Sequence, residues 1–436
     1  MQFSSTRNPS DKVSFAHAIL DCTPLDGGMY TPAFEEDLRP WIFYMDQNTS
    51  FSSIAGSLTS ALLKDEFSPL YSETIATKAF NFSPELKQLD ENLYMLELFH
   101  GPTGSHKDFG VSYLTSFLET VLMMQDKNAV ILTPTNGETG SSIVASLRNK
   151  KHVKAVLLYA KGTVRGFKEE DCIWNGGNIL PIEIDGDENT CFNIARKIFL
   201  DRQIISRFNL TLANTANIGR LLPQTFFYTY AFTRLKDKTN GDIFYALDAG
   251  NYGNLTAGLY SWKFCLPVNG FITDSTPLLH LDAQNNCCVQ DSIIPLCKRG
   301  ISDPIMPSNI ERLEEVFTTN SAVIKGFVFP ADVSLQDRQN SVNEAFMKYN
   351  VLIDSKTAGA LSAMKKRSDI TNGTDETTVL IARDHPAFDC DFIKHCTGES
   401  LSLPDNLKEF TLPVEAKIKC EATTESVIAL LARYLA

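Results

Sequence analysis

The stretch FHGPTGSHKDFG, Phe99 to Gly110, decides how the chain is read. Leu93 to Leu98 just before it is an apolar run that predicts a short buried strand. The Gly-Pro-Thr-Gly turn ends that strand and carries the chain to Lys107. VSYLTSFLETVLMM then has apolar residues at three- and four-residue spacing and predicts a helix. Lys107 therefore belongs at a strand-loop-helix junction, where α/β proteins carry reactive groups. A phosphate-binding NTPase loop needs a glycine directly before the lysine and a hydroxyl directly after it, and His106 and Asp108 stand there instead. A partly buried lysine that sheds its proton and attacks a carbonyl fits better. Taken alone, a solvated loop lysine explains the residue too, and the rest of the chain has to decide.

The 436 residues suffice for two or three domains. A 43% hydrophobic and 21% charged composition is that of a globular protein. A formal charge of -12 argues against nucleic acid or an anionic membrane as partner. MQFSSTRNPSDK has no apolar core, so no signal peptide is expected, and no apolar run approaches the ~20 residues of a bilayer span. A soluble, cytoplasmic protein is expected. The ten cysteines form no CxxC pair and read as reduced thiols, and the seven histidines show no HExxH spacing. No metal is expected.

Toward the N-terminus, Val13 to Leu20 predicts a helix that Asp11 could cap, and DGGMYTP, Asp26 to Pro32, a turn. Further helices are expected from Ser52 to Lys64 and near Pro84 to Lys87. Ala129 to Leu132 reads as a buried strand, Thr135 to Gly140 as a tight loop, and Ser141 to Leu147 as a helix. Glycines let the backbone of that loop face an anion at the helix start. Taken alone, the loop fits a plain βα turn with hydroxyl caps better. Val153 to Gly162 and Asn178 to Asp187 look like further buried strands, each followed by helical sequence. This alternation indicates parallel α/β units.

Asn214, Asn217 and Arg220 are spaced by three and on a helix would share a face. Arg220 offers a fork for phosphate or carboxylate, although a solvated helix face has the same pattern. Ile243 to Leu247 repeats the strand, Gly250 to Asn254 the loop and Thr256 to Trp262 the helix. Gly250, Asn251, Tyr252, Gly253 and Asn254 suit a single phosphate, since GxGxxG is absent. Asp274 to Pro307 reads as a long surface or lid segment. Ser308 or Asn309 caps a helix running to Phe317, and Val351 to Asp354 predicts a strand. Ser355 to Lys366 predicts a helix with Thr357 in its first turn, and Thr378 to Asp389 a strand running into a loop with His385. The amphipathic C-terminal helix is expected to pack on the core. The division expected is an N-terminal segment, 1–90, a small α/β domain, 91–209, and a large α/β domain, 210–436.

The order of these loops carries more than any one of them. A lysine after a GPT loop, then TNGETG, ANTANIGRLLPQ and AGNYGNLTAG, resembles threonine synthase of the longer-chain class. That family contains pyridoxal-phosphate enzymes of fold type II, relatives of tryptophan synthase β. VSFAHAIL with DGGMYTP, PSNIERLEE and RDHPAF are similar to its other motifs, so the resemblance runs from Val13 to Phe388. It implies two open α/β domains with parallel-rich sheets, with Lys107 as the Schiff-base lysine and the base for the α-proton. Gly250, Asn251, Tyr252, Gly253 and Asn254 would hold the cofactor phosphate, and Thr357 would face the pyridine nitrogen. Asn136 would lie near the phenolic oxygen, with Thr135, Gly137, Glu138 and Thr139 toward the substrate carboxylate. Asn214, Asn217 and Arg220 would bind the substrate, Arg220 at its phosphate.

The implied reaction takes O-phospho-L-homoserine and water to L-threonine and phosphate, in a monomer or homodimer. Protons leave Cα and then Cβ, phosphate departs from Cγ, and water adds at Cβ. Three positions depart from the family pattern: Ser105-His106 replaces an apolar pair, Glu138 replaces aspartate, and Phe388 stands where HPAKF has lysine. Rival readings are a phospholyase releasing a 2-oxo acid, a dehydratase of unphosphorylated serine or threonine, and a non-catalytic binding protein of the same fold.

Overall fold

The buried apolar runs assemble into two parallel-rich sheets. A computed structural model describes residues 1–34, 36–239, 242–289, 294–317, 321–371 and 376–435. The larger sheet has six strands in the order Val328–Ala331, Val268–Asp274, Ile243–Leu247, Thr377–Ala382, Leu93–Glu97 and Glu85–Asp90. All pair in parallel except the last, an antiparallel edge. The smaller sheet runs Lys419–Cys420, Ile179–Ile184, Val153–Ala160, Ala129–Pro134 and Leu210–Thr211, all parallel. Every residue of Ile243–Leu247 and Ala129–Pro134 is buried, which is why these strands read as unbroken apolar runs.

The Lys107–Gln125 helix runs through the middle of the molecule: from Asp108 to Leu122 every residue but Glu119 is buried. It packs on the Pro69–Ala79, Glu138–Leu147 and Ile218–Leu221 helices. A helix apolar on all sides belongs in such a place. The loops carrying Lys107, Glu138, Tyr252 and Asp384 each follow the C-terminal end of a parallel strand, where open α/β sheets form their crevice.

A three-stranded antiparallel sheet, Asn8–Val13, Phe3–Ser5 and Tyr30–Pro32, forms the N-terminal part. It is tied to the middle of the chain by Arg7, whose Nε and Nη2 donate to the two carboxylate oxygens of Glu311 at 3.0 Å each, and by Thr6, which donates to the same carboxylate. Arg312 beside it is fully buried, donating to Tyr30 O at 2.8 Å, Asn309 Oδ1 at 2.8 Å and Ala216 O at 2.9 Å.

Several local expectations are corrected. Residues 8–13 are a strand, so Asp11 caps nothing, and Ser14 Oγ accepts from His17 N at 3.1 Å as the cap of the Phe15–Asp21 helix. Pro84 to Lys87 is not helical: Glu85–Asp90 pairs with Leu93–Glu97, since strand pairing outcompetes a pattern one turn long. Val351 to Asp354 is an extended connector without ladder partners among the described residues, and it ends in Asp354, which caps the following helix. Asn309 precedes the Ile310–Val316 helix, but its side chain is spent on Arg312 and Thr215 rather than on a cap. Asp274 to Pro307 contains a short hairpin, Leu279–Leu281 with Cys287–Val289, and its residues 290–293 lie outside the described residues. The expected borders also do not follow the sheets. Leu93–Glu97 belongs to the larger sheet, while Lys419–Cys420 and the Thr424–Leu435 helix belong with the smaller one.

Candidate active site

Two cavities, of about 570 and about 380 Å³, open beside the C-terminal ends of the strands, and Lys107, Lys356 and Asp384 line both. Lys107 is the first residue of its helix, and its side chain is 21% exposed. Its Nζ is ion-paired to the Glu138 carboxylate. The Lys107 charge holds the Glu138 carboxyl below its ordinary value, against the opposing effect of burial.

Glu138 starts the Glu138–Leu147 helix after Gly137, whose φ of +109° is a left-handed conformation that favours glycine. A Cβ on Gly137 would overlap Nε of Arg165, and that Nε donates to Asn136 O at 2.7 Å. Thr135 is buried and shapes the loop from inside, its Oγ1 accepting from Gly137 N at 2.9 Å and Gly140 N at 3.0 Å. Asn136 is exposed, Gly137 lines the smaller cavity and Thr139 the larger.

The lysine loop is held from both sides. Thr103 donates through its N–H at 2.8 Å and its hydroxyl at 2.6 Å to buried Asp108. Ser105 Oγ donates to Asp384 Oδ1 at 2.6 Å, His106 Nδ1 lies 3.4 Å from the same oxygen, and Lys356 Nζ is 3.0 Å from Oδ2. Burial pushes the Asp384 carboxyl up, but the His106 contact and the Lys356 and Lys107 charges outweigh it and hold it well below the carboxylate range. Burial pushes the His106 imidazole down to about 3 despite Asp384.

In the second glycine loop, Gly250 has φ +49°, and Tyr252, with φ +63°, precedes the Gly253–Lys263 helix. Asn251 Nδ2 donates to Thr215 Oγ1 at 3.0 Å. Asn254 is buried, its Oδ1 accepting from Tyr228 OH at 2.8 Å. Both amides brace the loop: Asn251 Oδ1 also accepts from Gly253 N at 3.2 Å, and the N–H groups of Asn254 and Leu255 that follow in the first turn are left for another acceptor. Gly250, Asn251 and Tyr252 line the larger cavity. A Cβ on Gly250 would come within 2.8 Å of Arg383 Nη1, and Arg383 is paired with Asp248 at 3.4 Å.

Arg220 lines the same cavity and is 4% exposed, yet among the described residues none of its guanidinium nitrogens is hydrogen-bonded, and Nη1 is fully buried without a partner. The guanidinium lies over Gly110, where a Cβ would overlap Nη1. Burial lowers its pKa to about 10 against the pull of Asp108.

The shared helix face expected for Asn214, Asn217 and Arg220 does not form, because only Arg220 is helical, in Ile218–Leu221. Asn214 lies in the preceding turn, lines the larger cavity and donates to Pro304 O at 2.8 Å. Asn217 is the N-cap, fully buried, donating to Ile19 O at 2.8 Å and Leu212 O at 3.0 Å. Asparagine favours turns and caps over helix interiors, which overrides the three-residue spacing. Thr357 is buried next to Lys356 in the Ser355–Lys366 helix. Lys356, Arg383, Asp384, Arg165 and Thr215 were not singled out from the sequence. Asp384 stands inside the RDHPAF motif, and Lys356 one residue before Thr357, so position alone pointed to both.

No family model matches the sequence. The chain is 28% identical to threonine synthase of Escherichia coli (strain K12) over 94% of each chain. It is 26% identical to threonine synthase of Haemophilus influenzae over 95% of this chain and 96% of that one. The crystal structure of threonine synthase from Escherichia coli matches over the whole of both chains with a TM-score of 0.79 at 26% identity.

The chain is a threonine synthase homologue. The PLP-bound threonine synthase from Brucella melitensis, 20% identical, shares the fold at a TM-score of 0.82 over all of this chain and 99% of that one. The homologue has the α/β architecture with parallel-rich sheets of fold type II enzymes, as its loops led one to expect.

Proposed function

We propose that the protein is a threonine synthase that uses pyridoxal phosphate to convert O-phospho-L-homoserine and water to L-threonine and phosphate. The observation that carries this is Arg220, a buried guanidinium without an anion of its own, in the cavity that also holds Lys107 and the Gly250 to Asn254 loop. A buried unpaired cation is costly and is retained where a ligand completes it.

The residues fit the cofactor. The loop from Gly250 offers a helix N-terminus to a phosphate, and Gly250 leaves room that a Cβ would take from Arg383. Lys107, Gly250, Asn251, Tyr252, Gly253 and Asn254 would hold it, with Thr357 at the ring nitrogen and Asn136 near its phenolic oxygen. When bound, pyridoxal phosphate supplies an electron sink conjugated to the amino-bearing carbon of the substrate.

The remaining work falls to the chain. Lys107 lets go of Glu138 and moves the protons at Cα and Cβ, as a general base set within the cleft. Arg220 binds the substrate phosphate, Asn214 shapes the same cavity through its bonds to Pro304 O and Ile305 O, and Gly137, Glu138 and Thr139 border the substrate carboxylate. Thr135 and Asn217 act by holding the two loops in shape. Among the described residues no helix is long and apolar enough to cross a membrane, and the ten cysteines are unpaired. We place the protein in the cytoplasm as a monomer or homodimer acting on a small phosphorylated amino acid.

The test is to incubate the purified protein with pyridoxal phosphate and O-phospho-L-homoserine and follow the visible band, phosphate and amino-acid product. Threonine with phosphate is the expected result. Phosphate with 2-oxobutyrate would make the protein a phospholyase. A visible band without phosphate would favour a dehydratase, and neither signal a binding protein.

A further inference from the structure

His106 stands where an apolar residue would have sufficed to fill space, and it is built into a polar cluster instead. Its N–H donates to Arg383 O at 2.7 Å, and its Nδ1 lies 3.4 Å from Asp384 Oδ1. Asp384 is in turn fixed by Ser105 Oγ at 2.6 Å and Lys356 Nζ at 3.0 Å. A carboxylate behind Nδ1 selects the tautomer that donates from Nδ1, leaving Nε2 as the free position. Among the described residues nothing hydrogen-bonds Nε2. The imidazole lines the larger cavity together with Arg220 and Lys107.

Resting on the reading above, we propose that His106 is the acid that protonates the departing phosphate, charged when a phosphomonoester binds against Arg220 and held by Asp384. The chemistry requires such a group. Breaking the Cγ–O bond leaves its electron pair on the phosphate oxygen, and a dianionic ester would then depart as a trianion. A proton passed from Nε2 to that oxygen lets hydrogen phosphate leave. The electrons of the Cβ–H bond become the Cβ–Cγ double bond, and the Cβ proton goes to Lys107. His106 regains its proton from water when the next substrate binds.

The charges around His106 explain why binding and protonation go together. Without a ligand, burial and the Arg383 and Arg220 cations keep the imidazole neutral, with only Asp384 opposing them. Lys107 and Lys356 nearby are already paired, to Glu138 and Asp384. A dianion against Arg220 adds negative charge on the open side and reverses that balance.

The experiment is calorimetric titration of the holoenzyme with sulfate, a dianion that takes no proton near neutral pH, in buffers of different ionisation enthalpy at pH 7.5. Proton uptake on sulfate binding that grows when the titration is repeated at pH 6.5 and 5.5 is expected in the wild type and none in His106→Phe, with both melting at similar temperature. His106→Phe should also lower kcat for phosphate release about 10²- to 10³-fold with KM changed less than threefold. A second variant, His106→Gln, keeps the hydrogen bond to Asp384 without the proton and should behave like His106→Phe. Binding without proton uptake, or uptake that survives both substitutions, would overturn the proposal while leaving the synthase reading in place. If the wild type neither bound sulfate nor released phosphate from O-phospho-L-homoserine, both would fall.

Discussion

Lys107 and Glu138 form an ion pair that joins the two sheets, the lysine from the loop after Leu93–Glu97 in the larger and the glutamate from the loop after Ala129–Pro134 in the smaller. Chemistry at Lys107 requires this pair to open. Lys107→Ala is expected to lower turnover by at least about three orders of magnitude and to abolish the visible band of the bound cofactor. Circular dichroism and melting temperature should barely change, because the side chain is partly exposed at a helix start. Full activity in this variant would remove the lysine from the mechanism.

Arg220 sets binding against stability. Arg220→Met fills the same space without a charge and removes an unpaired buried cation, so the fold should gain about 1–3 kcal/mol in denaturant unfolding. KM for O-phospho-L-homoserine should rise roughly 10- to 100-fold, the worth of one or two charged hydrogen bonds. The cofactor band should persist. Its loss would mean that this arginine serves the cofactor instead.

Gly137 is irreplaceable for two separate reasons, its φ of +109° and the Arg165 side chain crossing over it. Gly137→Ala should cost about 1–3 kcal/mol and displace the Thr135 to Gly140 loop. Thermal melts read the first effect and substrate KM the second. A variant with both unchanged would show that Arg165 can move aside freely.

Asp354 gives a pH signature. Burial pushes its carboxyl up from 3.8 to about 6 in the fold, so its ionisation opposes folding. The penalty is absent below the unfolded value near 3.8, grows as pH rises to the folded value and is constant above it. Asp354→Asn keeps a helix cap and should be more stable than wild type by up to about 3 kcal/mol at pH 8, with a smaller gain at pH 5. Unfolding curves at the two pH values decide it, and an equal gain at both would refute the assignment.

The strand-loop-helix units were legible because parallel strands buried on both faces are continuous apolar runs, and their loops announce themselves by glycine. Ile243–Leu247 with Gly250 and Tyr252 is such a case. What periodicity could not supply was adjacency. Leu93–Glu97 precedes the small sheet in sequence yet pairs with Thr377–Ala382, nearly 300 residues on, so Asp384 and Lys356 reach Lys107 from the last quarter of the chain. Nor does a three-residue spacing distinguish a helix face from a turn and a cap, and Asn214 and Asn217 turned out to be the latter. Arg312 stands inside the PSNIERLEE motif, but nothing local to it shows that the backbone carbonyls of Tyr30 and Ala216, from distant parts of the chain, converge on its guanidinium.

The anchoring of Thr6 and Arg7 on Glu311 has a consequence for biosynthesis. Their partner lies 305 and 304 residues further along. At ~5–20 residues per second a ribosome needs about 15 to 60 s to reach it. During that interval the Asn8–Val13 ribbon lacks this tie and is held only through the neighbouring Phe3–Ser5 strand, whose Phe3 packs on Phe15, so nascent chains are more open to aggregation or to a chaperone there.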